Sequence, residues 1–221
     1  MKEKELAKYL DFANHHQDAT PDDIKELCQK VKKYGFHSAF VNPCYIPLAR
    51  ELMADGIVGT ALAFPLGQDS QEIKVLAAID AAKKGADELD IAMNVGLFKG
   101  GREDQVLAEM EAVISGAKNI KGSVLVKFII ETSYLTKNEI KKASQLVLQS
   151  GADFVKANSG LGPRGSSLKD VELIREAVGE KIKIKVAGDI DTYQEAISFI
   201  NKGADRIGTS KAVEIIRGAK K

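Results

Sequence analysis

The sequence has little of what marks several large classes of protein. It contains two cysteines, Cys28 and Cys44, no tryptophan, and three histidines, His15, His16 and His37. Two cysteines are too few for a disulfide framework or a cysteine-based zinc site. The histidines include an adjacent pair but no pair at the spacing of helical metal ligands. We therefore expect neither a metal ion nor another cofactor.

An excess of charge of one sign and a long apolar run are also absent from the sequence. The 32 Lys and Arg residues balance 31 Asp and Glu residues, so the formal net charge is +1. Nucleic-acid-binding domains usually carry a clustered basic excess, and a membrane span needs roughly 18 consecutive apolar residues. Residues 1–5 (Met-Lys-Glu-Lys-Glu) lack the apolar core of a signal peptide. The sequence therefore predicts a cytoplasmic protein with neither nucleic acid nor a membrane as partner.

A glycine followed by an apolar run recurs along the chain. At three of seven such junctions the glycine belongs to the tripeptide Gly-Ala-Asp, at residues 85–87, 151–153 and 203–205. Glycine adopts the left-handed backbone that ends many helices, and short apolar runs are typical of parallel strands covered on both faces. With a first strand after a short N-terminal helix, the predicted strands are residues 9–13, 36–42, 57–64, 88–94, 124–131, 154–159, 181–188 and 206–210.

The segments between these runs have the apolar spacing of helices. Residues 21–34 begin with Pro-Asp-Asp and carry apolar side chains at positions 24, 27, 28 and 31, which share one helical face. Residues 70–84 place Ile73, Leu76, Ala77 and Asp80 on a comparable, mostly apolar stripe. Both segments are predicted to be helices that bury these faces.

Eight strands that alternate with helices indicate an α/β fold of the (β/α)8 type, the TIM barrel. The 221 residues leave about 28 for each strand and helix, with almost no room for insertions. An open doubly wound sheet is the competing architecture, but it usually has fewer strands at this length. In addition, no Gly-x-Gly-x-x-Gly motif follows the first strand. We predict a single domain that spans residues 1–221 and begins with a short helix.

Charged side chains interrupt several of the predicted strands. In a (β/α)8 barrel, alternate strand residues point into the lumen, and functional groups lie at the C-terminal ends of the strands. Burial of unpaired charge is costly, so these groups either form a structural ion network or serve chemistry. They are Glu88, Asp90 and Asn94 on strand four, Lys127 and Glu131 on strand five, Lys156 on strand six and Lys185 on strand seven.

Three lysines and an aspartate at one barrel mouth fit one reaction type. Two neighbouring ammonium groups lower each other's pKa, and a lysine that is neutral near pH 7 attacks a carbonyl to form a Schiff base. A nearby aspartate can then relay protons. This set of groups suffices for class I aldolase chemistry and requires no metal.

The sequence also resembles the deoxyribose-phosphate aldolase family over nearly its whole length. These class I aldolases reversibly cleave 2-deoxyribose 5-phosphate to acetaldehyde and glyceraldehyde 3-phosphate. The order and spacing of the matching segments carry the resemblance. They are Tyr9-Leu10-Asp11, Val41-Asn42-Pro43, Phe64-Pro65-Leu66-Gly67, and residues 85–90, 126–132, 152–156 and 206–210.

The resemblance implies a role for each matching residue. Lys156 would form the Schiff base, Lys185 would lower the pKa of Lys156, and Asp90 would act as acid and base through a bound water. Phosphates commonly dock on the loops after strands seven and eight of such barrels. The resemblance further implies aldehyde and sugar-phosphate substrates and a homo-oligomer, either a dimer or a tetramer. The residues implied in binding the substrate or its phosphate are Asp11, Lys127, Ser159, Gly160, Gly188, Gly208, Ser210 and Lys211.

Several residues around the predicted site depart from the family pattern. Ala13 lacks the hydroxyl that is usual at its position, and Lys183 replaces a small residue. Arg164 and Asp189 stand where glycines are common, and Lys211 stands where a serine is usual. We expect Lys211, helped by Arg164, to hold the phosphate while Asp189 points away or pairs with a lysine.

These departures leave three interpretations open. The chain is a working aldolase with neutral changes, a related lysine-dependent aldolase with altered specificity, or a catalytically silent barrel that binds a sugar phosphate. His15 and His16, in the loop after the first strand, are expected to be solvated residues without a role.

Overall fold

The computed structural model describes residues 1–219 as a closed barrel of eight parallel strands. Each strand pairs with the next in the chain, and the first strand closes the ring by pairing with the eighth. The predicted (β/α)8 barrel is confirmed, and the open sheet is excluded. The strands are β1 (Leu10–Asn14), β2 (Ser38–Val41), β3 (Ile57–Leu62), β4 (Glu88–Ala92), β5 (Leu125–Ile129), β6 (Phe154–Lys156), β7 (Lys183–Ala187) and β8 (Arg206–Thr209).

Helices surround the barrel, and at least one lies between every two consecutive strands. The short N-terminal helix of the prediction is the first of them. No helix within residues 1–219 has the length and apolar composition of a membrane-spanning segment. The helices are α1 (Glu3–Ala7), α2 (Pro21–Tyr34), α3 (Ile46–Met53), α4 (Gln71–Lys83), α5 (Val95–Lys99), α6 (Glu103–Ile120), α7 (Lys137–Gln149), α8 (Leu168–Val178), α9 (Tyr193–Asn201) and α10 (Ala212–Arg217).

Most strands end earlier than predicted because the chain turns into a loop at the mouth of the barrel. Asn94 was predicted to continue β4 on the face of Glu88 and Asp90, and that prediction is wrong. Its Oδ1 accepts the backbone N–H of Leu97 at 3.0 Å and thereby caps α5. Asparagine is favoured at such N-caps because its short side chain reaches the free amides of the first turn.

Helix α2 has the predicted bounds because its ends carry strong local signals. Thr20 and Asp23 exchange side-chain and backbone hydrogen bonds in a capping box, and Gly35 ends the helix with a φ of 68°. Five of the seven junction glycines adopt the predicted left-handed backbone, and Gly56 and Gly122 do not. The five are Gly35, Gly85, Gly151, Gly179 and Gly203.

The apolar stripe predicted for α4 is wrong. Ile73 and Leu76 leave 53% and 59% of their surfaces exposed, whereas Lys74 is buried and faces inward with three alanines. The ammonium of Lys74 donates to Glu109 of α6 at 2.6 Å and to the carbonyl of Ala92 at 3.1 Å. A buried ion pair therefore takes the inward face of α4, and the larger apolar residues turn outward.

The three Gly-Ala-Asp junctions brace neighbouring strands in the same way. The backbone N–H of Asp87 donates to the carbonyl of Val58 at 2.7 Å, and its carboxylate accepts the N–H of Val58 at 2.8 Å. Each aspartate thus pairs with both the N–H and the carbonyl of one residue in the preceding strand. At the end of a sheet these two backbone groups would otherwise lack a partner. The same pairs of bonds join Asp153 to Val126 and Asp205 to Ile184.

Side chains alternate between the barrel lumen and the helical layer. Small residues leave room in the lumen for longer neighbours. A Cβ atom at position 59 would lie 2.3 Å from the ring of Phe40, and one at Gly208 would lie 3.1 Å from Cε of Lys185. Lys183 shares the inward face of β7 but lies exposed at its N-terminal end, with Nζ 5.6 Å from the ring centroid of Phe154. It is therefore at the opposite end of the barrel from the predicted site.

Candidate active site

Seven buried ionic side chains fill the barrel lumen. Three are carboxylates and four are cations, so the set is balanced when one of the cations is neutral. We call the set nearer the N-terminal ends of the strands the lumen floor, and the set nearer the C-terminal ends the lumen mouth. The floor consists of Asp11, Glu88, Lys127 and Arg206, and the mouth consists of Asp90, Lys156 and Lys185.

Each cation of the lumen floor has two carboxylate partners. Lys127 Nζ lies 2.6 Å from Glu88 Oε2 and 2.9 Å from Asp90 Oδ1. Arg206 Nη1 lies 3.0 Å from Asp11 Oδ1 and 3.4 Å from Glu88 Oε1. Burial by itself lowers the pKa of the Lys127 ammonium, but Asp90 and Glu88 outweigh burial and raise that pKa above its ordinary value. Lys127 is therefore a permanently charged structural ion.

The two lysines of the lumen mouth share one carboxylate oxygen. Asp90 Oδ2 lies 2.8 Å from Lys156 Nζ and 2.7 Å from Lys185 Nζ, and Lys185 Nζ also lies 2.6 Å from Asp11 Oδ2. Burial and the neighbouring Lys185 ammonium lower the pKa of Lys156 to about 8, even though Asp90 acts in the opposite direction. Roughly one Lys156 in ten is then neutral at pH 7, against about one in three thousand for an ordinary lysine.

Asp90 is the hub of this network because it contacts three lysines. Burial raises the pKa of the Asp90 carboxyl, but the ammonium groups of Lys127, Lys156 and Lys185 outweigh it and hold that pKa well below its ordinary value. Asp90 is therefore ionised and lies next to Lys156, whose pKa is lowered.

A cavity of about 350 Å³ opens above Lys156 and Lys185 at the barrel mouth. The structure brings most of the predicted binding residues to its walls. Asp11 and Lys127 are exceptions, because both are completely buried beneath the cavity and reach a ligand only through Lys185 and Asp90. Besides Lys156 and Lys185, the predicted residues that line the cavity are Ser159, Gly160, Gly188, Gly208, Ser210 and Lys211.

Glycines let the loops after β6 and β7 pack directly against each other on one side of this cavity. A Cβ atom on Gly188 would lie 2.8 Å from the Cα of Gly160 and 2.9 Å from the Cα of Gly165. Asp189 Oδ2 accepts the backbone N–H of Gly165 at 2.8 Å. Asp189 thus joins the two loops instead of pointing away or pairing with a lysine, which corrects the prediction, and it still lines the cavity.

Arg164 does not assist anion binding, contrary to the prediction. Its Nη1 donates to Asp170 Oδ2 at 2.6 Å, and its Nη2 donates to the carbonyl of Thr132 at 3.2 Å. These bonds hold the guanidinium against α8 and away from the cavity walls. Lys211 lines the β7–β8 side of the cavity, with its side chain half exposed and its Nζ 4.0 Å from Glu214.

Glu131 holds the loop that follows Lys156. Its Oε2 accepts the backbone N–H of Ser159 at 3.0 Å, and its Oε1 accepts the hydroxyl of Ser133 at 2.9 Å. The residue is 6% exposed and has a φ of 53°, a left-handed backbone that is uncommon for glutamate. The contacts indicate a positioning role for this carboxylate.

His15 and its aromatic neighbours are the cavity residues that the sequence analysis missed. His15 lines the cavity instead of lying in solvent, and its ring centroid lies 5.2 Å from that of Phe64. Burial and the Lys156 ammonium lower the pKa of His15 to about 4. The sequence feature that could have identified His15 is its position directly after β1, at the catalytic end of a barrel strand.

Comparison with known families gives a match over almost the whole chain. The model of the DeoC/LacD family of aldolases matches residues 6–211. A deoxyribose-phosphate aldolase of Thermococcus gammatolerans is 44% identical over 98% of this chain and 97% of its own. One of Thermoanaerobacter sp. is 42% identical over 96% of this chain and 95% of its own.

Solved structures give the same result for the fold. An aldolase called QR15 superposes with a TM-score of 0.91 at 36% identity, over 96% of this chain and 95% of its own. A tetrameric deoxyribose phosphate aldolase of Aeropyrum pernix superposes with a TM-score of 0.90 at 26% identity, over 98% of this chain and 91% of its own.

Proposed function

The chain belongs to the DeoC/LacD family of aldolases and is therefore a carbon–carbon lyase, and from this premise we propose that it reversibly cleaves 2-deoxyribose 5-phosphate. The products are acetaldehyde and glyceraldehyde 3-phosphate. We further propose that Lys156 forms a Schiff base with the substrate aldehyde. The names of its relatives support the substrate, and the geometry of the lumen mouth supports the covalent step.

One observation carries the assignment of Lys156. Two buried lysines share Asp90 Oδ2, and burial together with the Lys185 ammonium lowers the pKa of Lys156 to about 8. A neutral amine is the nucleophile that attacks an aldehyde, and class I aldolase chemistry starts from it. A catalytically silent barrel would not need to hold a lysine in this unfavourable state.

The reaction follows from the groups around Lys156. The neutral amine adds to C1 of the open-chain sugar phosphate, and loss of water gives the protonated imine. Removal of the C3 hydroxyl proton breaks the C2–C3 bond, because the imine accepts the electron pair and becomes an enamine. Glyceraldehyde 3-phosphate leaves, the enamine carbon takes up a proton, and hydrolysis frees acetaldehyde. We assign the proton transfers to Asp90, acting through a water, because it is ionised and lies 2.8 Å from Lys156 Nζ.

The phosphate end of the substrate fits the β7–β8 side of the cavity. Gly188, Ser210 and Lys211 line this side and offer backbone N–H groups, a hydroxyl and an ammonium. Gly208 has a second use, because its missing side chain leaves space for Lys185. Asp189 opposes an anion here, so we expect the enzyme to prefer phosphorylated over unphosphorylated acceptors only weakly.

Trapping with borohydride tests the proposed function. The protein is incubated with acetaldehyde, reduced, digested and mapped by mass spectrometry, and cleavage of 2-deoxyribose 5-phosphate is assayed in parallel. We expect an ethyl adduct on Lys156, and we expect both adduct and cleavage to disappear in Lys156→Met. An adduct on Lys185 or Lys127 with Lys156 unmodified would refute the assignment, and an adduct without cleavage of the sugar phosphate would refute the substrate.

We also propose that the protein is a homo-oligomer. The tetrameric relative from Aeropyrum pernix supports this, and the outward Ile73 and Leu76 of α4 provide an apolar surface that association would cover. Light scattering after gel filtration is expected to give a dimer or a tetramer. A monomer at micromolar concentration would contradict the proposal. Cytoplasmic location stays a prediction of the sequence.

A further inference from the structure

His15 is a titratable side chain of the cavity wall to which the proposed reaction assigns no role. Its ring centroid lies 5.2 Å from that of Phe64 and 6.4 Å from that of Phe40. The same two aromatic rings contact the catalytic lysines, since Lys156 Nζ is 5.8 Å from the centroid of Phe64 and Lys185 Nζ is 3.6 Å from that of Phe40. The imidazole therefore lies against the same two rings as Lys156 and Lys185.

Asn42 determines which nitrogen of His15 carries the proton. Asn42 Nδ2 donates to the carbonyl of His16 at 3.3 Å, which turns Asn42 Oδ1 toward His15. His15 Nδ1 lies 3.3 Å from this oxygen and must donate to it. This tautomer is assigned from the hydrogen-bond network. Because the ring is neutral at working pH, Nε2 keeps a lone pair and is a hydrogen-bond acceptor.

Nε2 has no partner in the described part of the chain, since the bond to Asn42 is the one hydrogen bond of the ring within residues 1–219. A substrate joined to Lys156 and held at its phosphate by the β7–β8 side extends across this same cavity. Between the reacting carbon and the phosphate it carries a single hydroxyl, at C4 of the sugar, which is C2 of glyceraldehyde 3-phosphate. Ala13, two residues before His15, also lines the cavity and has no hydroxyl to offer.

We propose that His15 is a specificity-determining residue whose Nε2 accepts a hydrogen bond from this hydroxyl of the acceptor. The proposal rests on the proposed function, because the path of the substrate is drawn from Lys156 to the phosphate side. His15 compensates for the hydroxyl that Ala13 lacks. The enzyme therefore selects 2-hydroxyaldehyde phosphates over acceptors of the same length without the hydroxyl.

A comparison of two acceptors tests the proposal. The kcat/KM for addition of acetaldehyde is measured with glyceraldehyde 3-phosphate and with 3-oxopropyl phosphate, which has the same chain without the hydroxyl. We expect the unchanged protein to prefer the first by about tenfold, the range of one hydrogen bond to a neutral group. His15→Leu should lose this preference by becoming slower with glyceraldehyde 3-phosphate alone. His15→Gln, which keeps a side-chain acceptor, should retain part of it.

Two controls separate this inference from others. His16→Leu removes the neighbouring imidazole, which also lines the cavity but is exposed and hydrogen-bonds to residues 1–219 through its backbone alone, and should keep the preference. Borohydride trapping of acetaldehyde on Lys156 should be unchanged in His15→Leu, which shows that the covalent step survives. Equal losses with both acceptors, or no loss with either, would overturn the role of His15. If the unchanged protein uses neither acceptor, the proposed function fails, and the role of His15 fails with it.

Discussion

Lys127 and Lys156 lie on neighbouring strands of one barrel, and each places its ammonium against Asp90, yet their pKa values shift in opposite directions. Both are buried, and burial is the largest influence on each. The difference lies in the partners. Lys127 pairs with two carboxylates, Glu88 at Oε2 and Asp90 at Oδ1, whereas Lys156 has one carboxylate partner and shares its Oδ2 oxygen with Lys185.

The comparison shows how one fold makes both a structural ion and a reactive amine from the same residue type. A buried lysine keeps its charge when it pairs with two carboxylates, and its charge is unstable when its single carboxylate is shared with a second cation. Lys127 of the lumen floor satisfies the first condition and Lys156 of the lumen mouth the second. Aldolase chemistry therefore depends on a local shortage of negative charge.

The largest expected effect is the loss of stability when the floor lysine is removed. Lys127→Met leaves Glu88 and Asp90 buried with fewer cations, and breaking such a pair costs about 3–5 kcal/mol. Urea unfolding at pH 7 measures the change in the free energy of unfolding.

Lys156→Met is the matched counterpart and should keep or increase stability at pH 7. Because the pKa of Lys156 in the folded state, about 8, lies below its ordinary value, the unfolded chain binds more protons between the two values. The stability of the unchanged protein should therefore rise with pH through that window, and this rise should disappear in Lys156→Met. Equal destabilisation by the two substitutions would contradict the distinction between floor and mouth.

The next largest effect concerns Asp90, which belongs to both environments. Asp90→Asn removes the ionised carboxylate next to Lys156, so exchange of the methyl protons of acetaldehyde into deuterated water should slow by about a hundredfold. NMR follows the exchange directly. Glu131→Gln is the comparison variant and should leave the exchange within a few-fold. Unchanged exchange in Asp90→Asn together with a large loss in Glu131→Gln would move the proton transfer to Glu131.

A smaller effect is expected when the competing ammonium is removed. In Lys185→Leu the positive charge that lowers the pKa of Lys156 is gone, so this pKa should rise. The acid limb of the pH dependence of borohydride trapping, near pH 8 in the unchanged protein, should move to higher pH by about one unit.

Lys183→Leu is the control for Lys185→Leu. Lys183 lies on the same face of β7, but at the exposed N-terminal end of the strand. Its loss should leave the acid limb of the pH dependence of trapping at the same pH. If Lys185→Leu lowers the maximal rate of trapping but does not shift the acid limb, Lys185 acts as a direct proton donor.

The smallest effects are expected at the phosphate side, where charges are partly exposed. A unit charge pair at about 4 Å is worth on the order of 4 kcal/mol at an effective dielectric constant near 20, before solvation losses. Lys211→Ser should reduce the preference for glyceraldehyde 3-phosphate over glyceraldehyde several-fold. Asp189→Gly should increase it, and glycine fits the φ of 57° at this position.

Kinetics with both acceptors measure these changes. If the phosphate gives no advantage in the unchanged protein and Asp189→Gly creates one, the site has been adapted to uncharged acceptors. The assignment of a phosphate side would then be wrong for the natural substrate.

The convergence of Asp90, Lys156 and Lys185 was predictable from the sequence because it depends on local rules. Alternation within a strand and the common direction of parallel strands place them together. The register adds what the sequence does not contain. It sets Lys127 opposite Asp90 and Lys185 opposite Lys156, and this leaves Lys156 with a single carboxylate that it shares with Lys185.

Several of the errors share a physical cause, which is a partner outside the segment whose spacing made the prediction. Lys74 faces inward because Glu109, on another helix, accepts its charge. Arg164 turns to Asp170 and Asp189 turns to the N–H of Gly165 through contacts between and within loops. Spacing along one segment does not contain such contacts, and neither does the pocket that surrounds His15.

The Gly-Ala-Asp braces divide the barrel wall into strand pairs. They join β3 to β4, β5 to β6 and β7 to β8, and at the remaining pair the N–H of His37 donates to the carbonyl of Leu10 at 3.0 Å in the corresponding place. Three of the four strand pairs are thus closed by the same double contact, and the first pair has only its backbone half. Because the braces at residues 87, 153 and 205 lie inside the pairs, a chimaera with a related barrel should exchange each pair whole and place its crossovers between β2 and β3, between β4 and β5, or between β6 and β7.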